Sequence, residues 1–210
     1  MLNLLLSDPP ITLDVDGKEY SINWSLRPAL RIMMAFQDDT LLQAEQVAIL
    51  LSNIYGEEIP ENTEEAVKQA IWFLDCGEES EGEANPMRLY SYEKDASLIY
   101  AAFRQTHGID LSEEKIHWWK FVALFMDVGQ ETTFTHLVSL RKRVKTGKAT
   151  KEEIKAYNEM GDLAKIEDGR QRSRMSPERR AKLNEFNRLA EEGKRRRDES
   201  KKVENDSQNS

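Results

Sequence analysis

The sequence predicts a mainly α-helical protein: an N-terminal β-hairpin packs on a compact multi-helix domain, and a basic C-terminal extension, helical or disordered, follows. Three observations lead to this prediction. Apolar and polar residues alternate on both sides of Asp16-Gly17. From residue 25 onward, apolar residues recur at helical spacing. The charge then changes sign, because residues 1–140 contain 9 Lys and Arg against 24 Asp and Glu, whereas residues 141–210 contain 21 against 14.

The hairpin is predicted from the turn and its flanks. Asp-Gly is typical of a tight turn between strands, because glycine accepts the positive φ that such a turn requires. A two-stranded hairpin is only marginally stable in water, so it is expected to pack on the helices that follow. The alternating apolar residues are Ile11, Leu13 and Val15 before the turn and Tyr20, Ile22 and Trp24 after it.

Three helices are predicted between the hairpin and residue 77. The Asp-Asp-Thr break at residues 38–40 separates the first two and can cap the second. Asn62, with Glu65 three residues later, is a capping signal for the third, and Gly77 closes that helix. The predicted helices span residues 26–36, 41–55 and 62–75.

The next segment, residues 78–86, is acidic and lacks large apolar groups, which indicates a solvated loop. A fourth helix is predicted at residues 92–106, ended by Gly108, and a fifth at residues 112–128. The fifth is apolar nearly all round, and a helix of this kind usually lies in the centre of a domain. We therefore expect the aromatic residues at 116–126 to be interior.

An amphipathic stretch from Phe134 to Val144 turns basic at Arg141-Lys142-Arg143. Thr150 with Glu153 predicts a further helix cap, and Ser176-Pro177-Glu178 predicts another helix start. The predicted organisation is a helical body with its hairpin at residues 1–145, a charged helical extension at 146–198 and a disordered tail at 199–210.

No pattern in the sequence predicts catalysis, a metal site or a bound cofactor. Glu114 and His117 have the spacing of a di-iron helix, but no second motif accompanies them, because Thr133 stands three residues before His136. The single cysteine, Cys76, excludes an internal disulfide, and a predicted helix C-terminus raises rather than lowers the pKa of a thiol. No apolar run approaches the ~20 residues of a membrane span. The expectation is a cytosolic, non-enzymatic protein.

The basic extension is the candidate nucleic-acid segment, with Arg170, Arg172, Arg174, Arg179, Arg180 and the run 194–197. Glutamates interrupt it, which disfavours nucleic acid as the partner. The basic extension could attract acidic proteins, fold back on the acidic body, or simply be solvated.

Five segments between residues 58 and 121 carry a family resemblance. Each is ordinary alone, but their order and spacing together are specific. They are Glu58-Ile59-Pro60 to Ala66, the run Ile71 to Gly77, the run Tyr90 to Phe103, Gly108 to Leu111, and His117 to Phe121. In these segments, and over about residues 10–145, the chain resembles the bacteriophage "gene product fifteen" proteins of siphophages.

This resemblance implies a tail-assembly chaperone that acts in the host cell cytoplasm. It would bind the long, helical tape-measure protein, keep it soluble, and help tail tube subunits assemble around it. Whether it forms a homo-oligomer stays open. The family carries no catalytic site to transfer. Two alternatives stay open: a structural minor tail or connector protein of the virion, and a nucleic-acid-binding regulator that acts through the basic segment.

Partner-binding residues are predicted from aromatic and basic positions. An apolar groove can receive an amphipathic partner helix, with exposed aromatic rings as anchors. Each aromatic could instead be buried in the core of this protein. The candidates are Trp72, Phe73, Trp118, Arg141, Arg143, Arg195, Arg196 and Arg197.

Overall fold

The N-terminal hairpin forms as the sequence predicts. In a computed structural model, which describes residues 3–38, 40–78 and 87–166, strand β1 (Thr12–Val15) pairs antiparallel with strand β2 (Lys18–Ser21). Asp16 and Gly17 have φ angles of 55° and 79°, the positive values that a tight two-residue turn requires. Leu13 and Val15 of β1 are buried, so the hairpin covers its apolar face against the helices.

The described part of the chain is mainly helical. Its helices are α1 (Leu26–Gln37), α2 (Gln43–Tyr55), α3 (Thr63–Leu74), α4 (Ala96–His107), α5 (Trp118–Met126), α6 (Thr133–Lys145) and α7 (Lys151–Glu159), and a short 3₁₀ helix (Gly161–Leu163) follows. The hairpin packs on α3, which joins α1 and α2 in one group of helices. The pairs α1–α5, α4–α5, α4–α6 and α6–α7 connect the remaining helices.

Local capping signals confirm two of the predicted helix starts. The side chain of Asn62 accepts a hydrogen bond from the backbone N–H of Glu65, which begins α3. At α7, Thr150 and Glu153 each accept a hydrogen bond from the backbone N–H of the other. The prediction that the break at residues 38–40 caps α2 is wrong, because the N-cap residue of α2 is Leu42. Asp38 accepts instead from the backbone and hydroxyl of Thr40.

Two helices begin later than the sequence predicts, because the residues before each helix make other contacts. α4 begins at Ala96 rather than near residue 92, because the carboxylate of Asp95 accepts from the backbone N–H of Ser91 and gathers residues 91–95 into a turn. α5 begins at Trp118 rather than near residue 112, because residues 116–118 pair with residues 24–26. At α5, the backbone N–H of Trp118, which a longer helix would use, is already bonded to the carbonyl of Trp24.

The first half of α5 is interior, as its composition predicts. Trp118, Trp119 and Phe121 are all buried, and Phe121 stacks on Phe103 of α4 with ring centroids 4.9 Å apart. The far end of the helix reaches the surface, where Met126 is 80% exposed. Only the first half of α5 therefore packs in the core.

Residues 146–166 pack on the body. Ala164 and Ile166 are buried, and α7 contacts α6. Several sequence predictions concern residues outside the described ranges: the acidic loop from residue 79 to 86, the helix start at Ser176, the rest of the charged extension and the tail.

Candidate interaction surface

Two of the predicted aromatic anchors lie inside the protein. Phe73 is fully buried and Trp118 is 2% exposed, so their rings do not form a surface on which a partner could dock. The expectation that they are exposed anchors is therefore corrected. The cause is non-local: the end of α3 faces the start of α5, and each supplies the other with apolar contacts.

The consecutive residues Trp118 and Trp119 of α5 donate hydrogen bonds to the C-terminal end of α3. The indole N–H of Trp118 donates to the carbonyl of Leu74 at 2.8 Å, and that of Trp119 donates to the carbonyl of Phe73 at 2.7 Å. Carbonyls in the last turn of a helix have no partner in the α-helical ladder. The carbonyl of Phe73 also accepts from the backbone N–H of Cys76, whereas that of Leu74 otherwise has only the Cys76 thiol at 3.9 Å, so the Trp118 indole satisfies the group that burial would leave most poorly paired. The tryptophan pair is part of the scaffold.

Trp72 is the one aromatic candidate that reaches the surface. Its ring is half-buried and meets the ring of Trp119 edge-on, with centroids 5.6 Å apart. Ile71 beside it is 42% exposed. A role for Trp72 in partner binding stays a prediction that its position allows.

Arg141 does not present its charge to solvent. It is 0% exposed and pairs with Asp95, also 0% exposed, through contacts of 2.7 and 2.9 Å. Its other donors reach three backbone carbonyls, those of Leu89, Leu163 and Ala164. All five guanidinium N–H groups are thereby used. The expectation that Arg141 contacts a partner directly is corrected, because its donors already have acceptors within the chain.

The spacing of residues along α6 indicates this burial. Arg141 follows Phe134 and Leu137 at helical spacing, and these two residues are the buried stripe of α6. Asp95, its partner, was not singled out, because a contact between residues 46 positions apart leaves no mark in a local pattern.

Arg141 organises the neighbouring surface. Its side chain holds residue 89 on one side and residues 163–164 on the other. The side chains that emerge beside these anchored backbones are apolar: Met87 is 48% exposed, Met160 45% and Leu163 50%.

Two lysines bond the backbone of neighbouring residues. Lys145 donates to the carbonyl of Arg88 and Lys94 donates to the carbonyl of Lys165, each at 2.8 Å. Arg88 in turn donates to the backbone and side chain of Gln37 at the end of α1. Lys145 is therefore bonded to the segment that carries Met87, and Lys94 to the segment that carries Leu163.

Arg143 holds the two helices of this region together. It contacts Glu153 of α7 at 2.9 Å, and its side chain is 43% exposed. The hydrogen bond from the backbone of Thr150, with help from Arg143, holds the pKa of Glu153 below its ordinary value. Arg143 thus has a partner within the chain but still reaches solvent, so its role in binding stays a prediction. Arg195, Arg196 and Arg197 lie outside the described residues.

Burial favours the neutral forms of two core groups, Cys76 and His117. Burial raises the pKa of the Cys76 thiol to about 12, because a thiolate would be desolvated there. Burial also lowers the pKa of His117, whose Nδ1 accepts from the backbone of Trp119 while Nε2 bonds the carbonyl of Pro10. Over the described residues, no group of three or more His, Cys, Asp or Glu could hold a metal ion, and no helix could cross a membrane.

These features define a mainly helical domain with an N-terminal hairpin and a buried ion pair between Arg141 and Asp95. The family model described as bacteriophage Gp15 protein matches residues 6–166, and the chain belongs to this family. The match continues about twenty residues past the resemblance seen in the sequence and takes in α7 and the residues that bind Arg141. No curated protein and no solved structure matches the chain.

Proposed function

We propose that this bacteriophage protein is a tail-assembly chaperone that binds the tape-measure protein, keeps it soluble in the host cytoplasm and hands it to tail tube subunits. The family match over residues 6–166 carries the proposal, since the resemblance that led to the family implies this role. The site described above supports docking rather than a reaction.

The physical task of such a chaperone is to cover apolar helix faces before their final partners arrive. Methionine suits this task, because its unbranched side chain adapts to partners of different shape. Met34, Met87, Met126 and Met160 are all more than a third exposed in the described part of the chain. A surface of this kind supports transient binding of a long helical client.

Co-expression with the tape-measure protein encoded by the same phage tests the proposal. We expect the tape-measure protein to move from the insoluble to the soluble fraction and to co-purify with this chain. The control is co-expression with an unrelated helical protein of similar length and apolar content. Unchanged solubility of the tape-measure protein together with failure to co-purify would contradict the chaperone role.

A structural role in the virion is the second candidate, because family membership by itself is also compatible with a tail component. Mass spectrometry of purified particles separates the two functions. A chaperone is absent from finished virions or present only in traces, whereas a minor tail or connector protein appears in a fixed ratio to the tail tube protein.

A further inference from the structure

We propose that the outer edge of strand β2 binds an extended segment of a partner protein, which adds to the hairpin as a further antiparallel strand and carries Lys or Arg on the face of Asp14 and Glu19. The proposal goes beyond the chaperone function and does not depend on it. Its basis is the juxtaposition, along one exposed strand, of backbone groups and carboxylates that have no partner in the described part of the chain.

The register of the hairpin shows which backbone groups of β2 face outward. The backbone N–H of Ile22 donates to the carbonyl of Ile11, so these two opposed residues are a hydrogen-bonded pair. Along an antiparallel pair of strands, bonded and non-bonded pairs alternate. Tyr20, two residues before Ile22, therefore belongs to the next bonded pair. The N–H and carbonyl groups of Glu19 and Ser21 consequently point away from β1.

These outward groups are open to a partner. Among the residues that the structure describes, none makes a hydrogen bond with the backbone of Glu19 or Ser21. Lys18, Glu19 and Ser21 are all exposed. β1 packs on α3, whereas β2 makes no comparable contact with a described helix. A strand edge of this kind presents a row of donors and acceptors that an added strand can complete.

The outer face of the hairpin is acidic. Asp14 and Glu19 are directly opposite each other and exposed, and neither forms an ion pair with a described cation. Asp16 in the turn adds a third carboxylate. The one cation of residues 12–21 is Lys18, whose Nζ lies 4.4 Å from the centroid of the Tyr20 ring on the other face of the hairpin. Like charges opposite each other destabilise a strand pair, so a Lys or Arg placed beside Glu19 by an added strand is favourable.

Tyr20 determines the side chain that fits at the intervening position. Its ring is half-buried and meets the ring of Tyr55 edge-on, with centroids 6.2 Å apart. A residue opposite Tyr20 on an added strand places its side chain on the same face as this ring, where aromatic and β-branched side chains make favourable cross-strand pairs. The partner segment therefore alternates Lys or Arg with Val, Ile or an aromatic residue.

A second copy of this chain fits the charges less well. Pairing of two β2 edges would bring together two hairpins that each carry Asp14, Asp16 and Glu19 against the single Lys18. The rest of the body is acidic too, with 9 Lys and Arg against 24 Asp and Glu over residues 1–140. Charges on a short edge strand oppose the pairing of identical edges, and the same charges attract a basic segment.

Peptides of about seven residues that alternate Lys with Val test the proposal. In antiparallel addition a Lys lies opposite Glu19, so the backbone N–H groups of the lysines point toward β2 and those of the valines point away. Two further peptides have the same side chains and charge but are N-methylated, one at the lysines and the other at the valines. We expect the unmodified and valine-methylated peptides to shift the amide NMR signals of Glu19 and Ser21 in the full chain. The lysine-methylated peptide should bind at least about tenfold more weakly, because it cannot donate to the edge.

Substitutions on the two strands localise the binding. Ser21→Pro removes an outward N–H that the hairpin does not use, so the hairpin should persist while peptide binding falls at least about tenfold. The matched control is Thr12→Pro, because Thr12 lies opposite Ser21 and its N–H faces the outer edge of β1. Amide spectra of residues outside the hairpin show whether each variant is folded.

A charge reversal gives a second test that leaves the backbone unchanged. Glu19→Lys is expected to weaken binding of the unmodified peptide by about fivefold, because attraction is replaced by repulsion. The matched control is Glu131→Lys in the loop before α6. It makes the same change in net charge at a side chain that is 92% exposed, and binding should stay as in the parent.

A basic peptide attracted nonspecifically to a chain of net charge −8 would give a different pattern. Equal binding of the two methylated peptides, equal losses in Ser21→Pro and Thr12→Pro, or equal losses in Glu19→Lys and Glu131→Lys would overturn the proposal. Concentration-dependent dimerisation of the parent that Ser21→Pro abolishes would assign the edge to a second copy, and would overturn it as well.

Discussion

Arg141 and Asp95 form a two-point ion pair in which neither side chain is exposed to solvent. The two contacts are 2.7 and 2.9 Å long, and the carboxylate also accepts from the backbone of Ser91. This one pair connects α6 to the start of α4 and, through the remaining arginine donors, to residues 89 and 163–164. Loss of either partner would leave the other as a buried unpaired charge.

Replacement of Asp95 by Ala is expected to lower the free energy of unfolding by about 3–5 kcal/mol, the range found when one partner of a buried ion pair is removed. Arg141→Ala should cost at least as much, because three backbone carbonyls lose their donor as well. Urea unfolding followed by circular dichroism gives the values. Arg143→Ala, which breaks a partly exposed pair, is the control and should have a much smaller effect. Equal effects at positions 141 and 143 would contradict the argument.

The indole N–H groups of Trp118 and Trp119 give a second prediction. Trp118→Phe keeps an aromatic ring but removes the indole donor to the carbonyl of Leu74, and a buried acceptor left without a strong partner costs about 1–3 kcal/mol. Trp119→Phe should cost less, because the carbonyl of Phe73 keeps its hydrogen bond from the backbone N–H of Cys76. Trp72→Phe is the control, since Trp72 is half-buried, and its midpoint of urea unfolding should move least. A larger shift for Trp72→Phe than for either of the other two would contradict this account of α3.

The sequence predicted the parts of the fold that depend on neighbouring residues. The Asp16-Gly17 turn, the Asn62 cap and the Thr150–Glu153 pair were all visible because each signal and its target lie within three residues. The burial of Trp118, Trp119 and Phe121 followed from an apolar helix of this composition. The resemblance to the family was likewise visible and is confirmed.

The sequence could not predict features that depend on distant pairing. The start of α5 was placed too early, because the bonds of residues 116–118 to residues 24–26 compete with helix formation and leave no local signal. The basic run at 141–143 indicated a binding surface, yet Arg141 is buried against Asp95. The exposure of Met87, Met160 and Leu163 was not predicted, because it depends on contacts between distant residues, among them those of Arg141 with Leu89 and Leu163.

His117 makes stability depend on pH. Burial lowers its pKa below the ordinary value of 6.5, Lys120 acts in the same direction, and the bond to the carbonyl of Pro10 opposes them only in part. The unfolded chain therefore takes up the proton at a higher pH than the folded chain does. Stability from this residue is fully present above pH 6.5 and is lost as the pH falls from 6.5 through the folded-state pKa.

Urea unfolding between about pH 5 and pH 8, the range in which histidine titrates, measures this dependence. We expect the parent to lose stability toward the acidic end and His117→Asn to lose less over the same interval, although the variant is less stable at neutral pH. His136→Gln is the control, because the His136 side chain is 65% exposed, and it should follow the parent. The same slope in His117→Asn as in the parent would show that another group controls the dependence.

Alanine substitutions at Gly77 and Gly147 separate the energetic cost of backbone strain from the cost of side-chain overpacking. Both have positive φ, at 78° and 69°, so an alanine at either position carries a conformational cost of about 1–2 kcal/mol. At Gly147 an added Cβ meets nothing within 4 Å, whereas at Gly77 it lies 3.0 Å from Cη2 of Trp119 and 3.3 Å from Cζ2 of Trp72. Those two rings pack on each other, and that of Trp119 also packs on Phe73, so the Trp119 ring has little room to move. Gly77→Ala should therefore destabilise the protein more than Gly147→Ala does, by about 1–3 kcal/mol of overpacking in urea unfolding. Equal losses in the two variants would mean that the tryptophan pair can shift freely, and the scaffold role assigned to Trp119 would then be wrong.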